Sequence, residues 1–263
     1  MPRGRKRIET LESERPPGFR LMRMSWSQAL LLHWPLPPKT VRRLLPEELE
    51  VDTIDGRAWI SILNYRVRGV RPIMGPSIPW FSSFLQTEVR TYVTHHGDPG
   101  VYFFSLDASN PVAVWLARTV FRLPYFRAEM QLRRSGESFR LSCLRTHQGA
   151  RGAEFECQWT PREPLPPTPR DELVPFLTER NRLFAPHAGK VLTCSVQHEP
   201  WPLRRAQVTA LETSLFEATG LPEPEGPPIA HHCDGLGLEI WPLREISAEE
   251  VAAWFDTAAS PRA

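Results

Sequence analysis

Gln86, Glu88, Arg90 and Tyr92 recur at every second position of the stretch FLQTEVRTYV. On a β-strand that spacing sends all four side chains to one face, with same-face neighbours about 6.5–7 Å apart. An amide, a carboxylate, a guanidinium and a phenol on one wall can hydrogen-bond a ligand, grip a carboxylate bidentately or exchange a proton. Phe84 and Tyr92 bracket the charges, and aromatics around a few converging polar groups are typical of small-molecule pockets. The opposite face carries Leu85, Thr87, Val89, Thr91 and Val93. The same alternation therefore also fits a sheet edge with one dry and one wet face. The two readings differ in whether the polar side looks into an enclosed space or out to bulk water.

Other reactive types are less pointed. Ser105 and Asp107 of SLDASN share a strand face, so a carboxylate there could act as acid or base. An Asp-Ala-Ser-Asn run before a helix is also ordinary capping chemistry. His95-His96 and His231-His232-Cys233-Asp234 suggest metal ligands, but adjacent strand residues point to opposite sides. Neither a CxxC nor an HExxH spacing occurs, so no metal site is expected. GxSxG, GxGxxG and GxxxxGK[ST] are absent too, and with them the usual serine-hydrolase, dinucleotide and P-loop readings. No cofactor is implied.

The elements that position these residues come from a chain of 263 residues, 41% hydrophobic and 10% aromatic, enough for a sizeable core without staples. A net charge of +2 selects no polyanionic partner, and Arg3, Arg5, Lys6 and Arg7 read as a solvated end. Nucleic acid is not an expected partner. No apolar run reaches the roughly 18 residues of a membrane span. Cys143, Cys157, Cys194 and Cys233 are widely spaced, and no secretory leader precedes them. Reduced thiols in a cytoplasmic protein are expected. Self-association into a homo-oligomer is left open.

Residues 1–20 read as a disordered basic and polar tail. SWSQALLLHWPL reads as a first strand, and Thr40 to Leu45 as a short helix. Asp55-Gly56 predicts a hairpin between VDTI and RAWISILNY, and RGVRPIMGPSIPW a loop. HHGDPG predicts a longer turn into VYFFSLDA. Asn110 and Pro111 cap a helix whose Val112, Trp115, Leu116 and Thr119 are expected to face the sheet. A three-strand meander follows, then the proline tract PREPLPPTPRDE, a partly helical LVPFLTERNRLF, and strands in KVLTCSVQHEPW and LRRAQVTALE. A short helix ends at Gly220. Asp234-Gly235 predicts a third hairpin, and Ser247 with Glu250 a capping box opening a last helix. Three hairpins, many strands and short helices suggest an antiparallel barrel or a pair of curved sheets with helices outside.

Taken together, HWPLPPKTVRRLLPEELEVDTIDGRAWISI, FLQTEVRTYV, GVYFFSLDAS, ARTVFRLPYFRAEM, LTERNRLF and HEPWPL resemble the YqjF-like family, a bacterial family without an assigned function, from about Met24 to Leu243. That resemblance implies the acetoacetate decarboxylase-like superfamily: a mostly β, α+β fold with a strongly bent antiparallel sheet or barrel enclosing a cavity. It also implies one domain over 21–245, followed by a C-terminal helix and tail at 246–263. The superfamily's decarboxylases use a lysine that forms a Schiff base beside a second lysine. At the similar place this chain reads Leu-Pro-Tyr125-Phe126, and no lysine lies between Lys39 and Lys190. Imine chemistry is therefore not expected.

Family members tend to read Glu-x-Asn-Val-Arg-Thr-Tyr along the polar strand. Here the carboxylate stands two residues later, at Glu88, still on the same face. The resulting expectation is a cavity lined by Gln86, Glu88, Arg90, Tyr92, Arg118, Tyr125 and Arg127. It would bind a small anionic or carbonyl-containing molecule, with Glu88 and Tyr125 as candidates for lysine-independent acid/base chemistry. The alternative is a structural or interaction protein that kept the fold without the chemistry.

Overall fold

The structure, a computed structural model, describes residues 18–72, 75, 82–166 and 172–245. Residues 1–17 of the expected tail, and the helix expected after Ser247, lie outside them. Alternating apolar residues build the first strand, β1 (Met22–Leu36). A bulge at Gln28, whose φ is +54°, shifts its phase. Met22, Met24 and Trp26 before the bulge therefore share a face with Ala29 and Leu31 after it, all in one apolar cluster. The short helix α1 (Pro38–Arg42) starts on its proline and buries Val41, two residues earlier than the sequence suggests. After β2 (Glu50–Val51), the long β3 (Ala58–Pro72) splits its side chains between two cores. Ile60 and Ile62 go to one, and Leu63, Tyr65 and Val67 to the other.

The polar strand is β4 (Ser83–His95), flanked by β3 and by β5 (Asp98–Ala108). It is buried from Phe84 to Val93 on both faces, which overturns the solvated-edge reading. Helix α2 (Pro111–Val120) begins where Asn110 accepts hydrogen bonds from the backbone N–H groups of Val112 and Ala113. The meander is β6 (Tyr125–Ser135), β7 (Ser138–Arg145) and β8 (Glu154–Pro164). Beyond it come α3 (Leu173–Thr178), β9 (Arg182–His187), β10 (Lys190–His198) and β11 (Leu203–Thr213). Helix α4 (Leu215–Thr219) stops at Gly220, whose φ of +78° suits glycine. β12 (Ile229–Ile240) and β13 (Arg244–Glu245) complete the set.

The thirteen strands of the described residues form one sheet, in the order β13-β10-β9-β5-β6-β7-β8-β11-β12-β1-β3-β4-β2, with further pairings β10–β12 and β4–β5 that tie distant parts of that order together. Pairing is antiparallel except at β5–β6 and β5–β9. The fold is thus α+β with a large, mostly antiparallel sheet. One apolar core lies between β1, β3 and β4 and the β6–β8 meander. On their other side are the apolar residues beside α2 and α3.

Several local expectations are corrected. The Asp55-Gly56 turn forms, closed by Ile54 and Arg57, but β2 pairs with β4 rather than across the turn with β3. RGVRP continues β3 instead of looping. The β4–β5 turn is the two-residue His96-Gly97, both at positive φ, not a longer loop. Asp234-Gly235 makes no hairpin, because β1 offers one continuous ladder to Cys233, Gly235 and Gly237. On α2 the inward residues are Ala113 and Val114, while Val112 and Trp115 are exposed, Trp115 at 64%. That helix covers the sheet with its small side chains.

Candidate functional site

A cavity of about 140 Å³ lies between the sheet and α2. Its β4 wall is Phe84, Gln86 and Glu88. Register fixes what faces them: Tyr65 of β3 is directly opposite Gln86, and Ala108 of β5 pairs with it on the other side. Tyr125 enters at the first residue of β6, where the chain leaves Leu123-Pro124 and pairs in parallel with Leu106. Met22, Met24 and Trp26 of β1 and Leu116, Ala117 and Phe121 around α2 supply much of the apolar lining.

The polar groups form one chain of hydrogen bonds. The Tyr125 hydroxyl donates to Gln86 Oε1 at 3.1 Å, and Gln86 Nε2 donates to the Tyr65 hydroxyl at 2.6 Å. Tyr65 donates to Glu88 Oε2 at 2.7 Å, and Arg90 Nη1 reaches Glu88 Oε1 at 3.3 Å. Trp26 stacks on Tyr65 with ring centroids 4.1 Å apart, which holds the phenol in place. Burial raises the Glu88 pKa, opposed by the Arg90 charge and by the bonds from Tyr65, Gln86 and Arg90. Burial also raises Tyr65 well above the usual phenol value, and the Glu88 charge pushes it further. Tyr125 is raised for the same two reasons in the same order. Both phenols therefore stay protonated donors at neutral pH, beside a carboxyl group biased toward its neutral acid.

The expected set divides. Gln86, Glu88 and Tyr125 meet at the cavity. Arg90 is buried next to them but does not line it. Past the bulge between Val89 and Arg90, its guanidinium turns to Glu88 and to the Leu177 carbonyl at 3.2 Å. Tyr92 continues that inner layer, with its hydroxyl 2.9 Å from the Leu177 carbonyl and 2.7 Å from Ser61 Oγ. Ser61 in turn sits 2.6 Å from His33 Nδ1. Arg118 lies outside the cavity, donating to the Tyr125 carbonyl at 2.7 Å. Arg127 is exposed, with its backbone N–H on His147. Asp107 is neither a free acid nor a cap, since Arg145 holds both its oxygens at 2.7 Å in a buried pair. Sequence reasoning missed Tyr65, Trp26 and Cys194. The first is visible only through the β3–β4 register. The cavity thiol Cys194 touches the Trp241 carbonyl and is pushed by burial to about 12. All four cysteines are free and buried.

Lys39 and Lys190 are both exposed, and Lys190 pairs with Glu245 at 2.9 Å. Neither lines the cavity. Among the described residues no group of three or more His, Cys, Asp or Glu is placed to hold a metal ion.

Residues 23–237 match the model of the DUF2071 family, described as an uncharacterized conserved protein. The chain is also 36% identical over 232 residues to the uncharacterized protein YqjF of Bacillus subtilis, covering 88% of this chain and 95% of that protein. It belongs to this family. Its fold is similar to the enduracididine biosynthesis enzyme MppR solved with pyruvate, at a TM-score of 0.60 and 15% identity, over 90% of this chain and 94% of MppR. An acetoacetate decarboxylase-like enzyme from Sphingomonas wittichii matches with a TM-score of 0.60 at 12% identity, over 88% of this chain and 94% of that one. The acetoacetate decarboxylase of Legionella pneumophila does so with a TM-score of 0.58 at 11% identity, over 91% and 95%. The acetoacetate decarboxylase-like architecture is thereby shown.

Proposed function

We propose that this member of the DUF2071 family binds a small carbonyl compound in the closed, barrel-like heart of its sheet, without forming an imine. The observation that carries this reading is the cavity beside Gln86, Glu88 and Tyr125. Its volume is close to that of the roughly 150 Å³ engineered cavity that admits benzene, so the ligand has that scale. Its walls are mainly apolar and no cation among the described residues lines them, because Arg90 is turned to Glu88 and Leu177. A free anion would enter without a counter-charge, at a large desolvation cost. A neutral carbonyl oxygen would not. The chemistry left to the ligand is therefore a carbonyl that takes the place of Gln86 Oε1 as acceptor of the single Tyr125 hydroxyl proton, with Glu88 as the neighbouring acid or base. Imine formation needs a lysine amine, and the two described lysines lie on the surface. The complex of MppR with pyruvate supports the carbonyl only, since pyruvate also carries a carboxylate for which the described walls of this cavity offer no counter-charge.

The test is calorimetric titration with cyclohexanone and with methylcyclohexane, on wild type and on Tyr125→Phe. The reading requires that the ketone bind more tightly than the hydrocarbon, and that the phenyl variant lose that preference by about tenfold, roughly the worth of one buried hydrogen bond. Equal binding of the two probes, or a ketone preference untouched by the variant, overturns it.

A further inference from the structure

Behind the cavity, on the other side of Phe103 and Leu123, lies a separate groove of about 490 Å³. Both residues line both spaces, so they form the partition between them. The groove has the size of a ligand pocket rather than of a packing defect. It is lined by the aromatic residues Tyr102 and Phe126 and by the cations Arg118 and Arg122, with the buried Phe184 at its base; among the described residues no Asp or Glu lines it.

The two arginines differ in a way that matters. Arg118 is fixed, with Nη1 on the Tyr125 carbonyl at 2.7 Å and its guanidinium 5.8 Å from the Phe126 ring centroid. Arg122 is exposed and has no hydrogen bond or ion pair among the described residues. Its φ is +55°, a left-handed conformation that an arginine adopts only at a cost of about 1–2 kcal/mol. The position follows Phe121, the cap residue of α2, where helices commonly end in this conformation, and an arginine stands there in place of the usual glycine. A helix C-terminus attracts basic side chains through its dipole, and α2 ends at Val120. The dipole accounts for a positive residue near Arg118, but not for a concave aromatic surface around it.

We propose that this groove is a second binding site, selective for planar aromatic anions, with the aromatic part against Phe126 and Tyr102 and the carboxylate or phosphate on Arg122 and Arg118. Guanidinium forks bind such anions bidentately. The site stands apart from the reading of the inner cavity and survives if that reading fails.

The probe is naphthalene-2-carboxylate, whose two fused rings exceed an inner space of benzene scale, compared by calorimetry with the neutral naphthalene-2-carboxamide. Wild type should bind the acid at least tenfold more tightly than the amide. Arg122→Asn should abolish that preference, because asparagine tolerates positive φ but carries no charge. Arg122→Gly, which takes the same backbone conformation freely, should behave alike, and a melting temperature at or above that of wild type establishes that either variant is folded. Equal affinity for acid and amide in wild type overturns the proposal. So does a preference that persists in both variants, or no binding of the acid at all. Failure of cyclohexanone to bind would strike only the inner cavity.

Discussion

Arg90 is the residue on which the sequence and the structure disagree most usefully. Its type and spacing suggest a ligand anchor, yet its guanidinium is spent on Glu88 and the Leu177 carbonyl. Its effect on any ligand passes through Glu88. Arg90→Ala would leave a buried carboxyl group without its cation, and loss of one partner of a buried pair costs roughly 3–5 kcal/mol. Urea denaturation should show a loss of that order at pH 7. The deficit should shrink as the pH falls, because a protonated Glu88 needs no cation. A second residue-scale prediction concerns Asp98, which burial raises to about 6 despite the nearby charges of Arg182, His95 and Arg244. An unfolded aspartate titrates near 3.9. The native state therefore holds the proton more tightly, and the stability this lends in acid is lost as pH rises from about 4 to about 6. Asp98→Asn should flatten the stability profile across that window. A profile as steep as wild type would show that Asp98 does not titrate there.

At the scale of elements, β5 is the strand that organises the site. It pairs with β4 on one edge, and with β6 and β9 in parallel on the other. It thereby brings Tyr125 beside Leu106 and next to the β4 polar wall. Gly100 permits this crowding. A Cβ there would fall 2.6 Å from the Phe184 ring and 2.8 Å from the Arg182 carbonyl. Gly100→Ala should cost about 1–3 kcal/mol through overpacking, lowering the urea midpoint with little change in slope. A wild-type midpoint would mean that β9 shifts freely. Individual strands are legible where period-2 alternation survives, in β4 and the β6–β8 meander. The α2 cap was legible because Asn110-Pro111 is local chemistry. Which face of α2 packs was not. Val112 and Trp115 are the more apolar choices, but Ala113 and Val114 let the helix approach the sheet. A turn dipeptide reverses the chain only where no long neighbour competes, which is why Asp55-Gly56 turns and Asp234-Gly235 is stretched along β1.

For the whole molecule, the cavity is a property of how distant strands meet in one sheet, which no single stretch encodes. Gln86 and Glu88 could be placed on one face from their spacing. Tyr125 came from the resemblance, through the Leu-Pro-Tyr-Phe run. Tyr65, Trp26 and Cys194 join them from β3, β1 and β10 only because those strands meet across register that spacing within a strand cannot supply. The Asp107–Arg145 pair, buried where β5, β6 and β7 come together, ties the Tyr125 strand to the same frame. Among the described residues no helix is long and apolar enough to cross a membrane. The most direct measurement is a crystal structure of the full chain soaked with cyclohexanone. The account predicts the ring inside the cavity, with its oxygen within hydrogen-bond distance of the Tyr125 hydroxyl or the Glu88 carboxyl group. A ketone bound only elsewhere, or a cavity that admits none at saturating concentration, would contradict it.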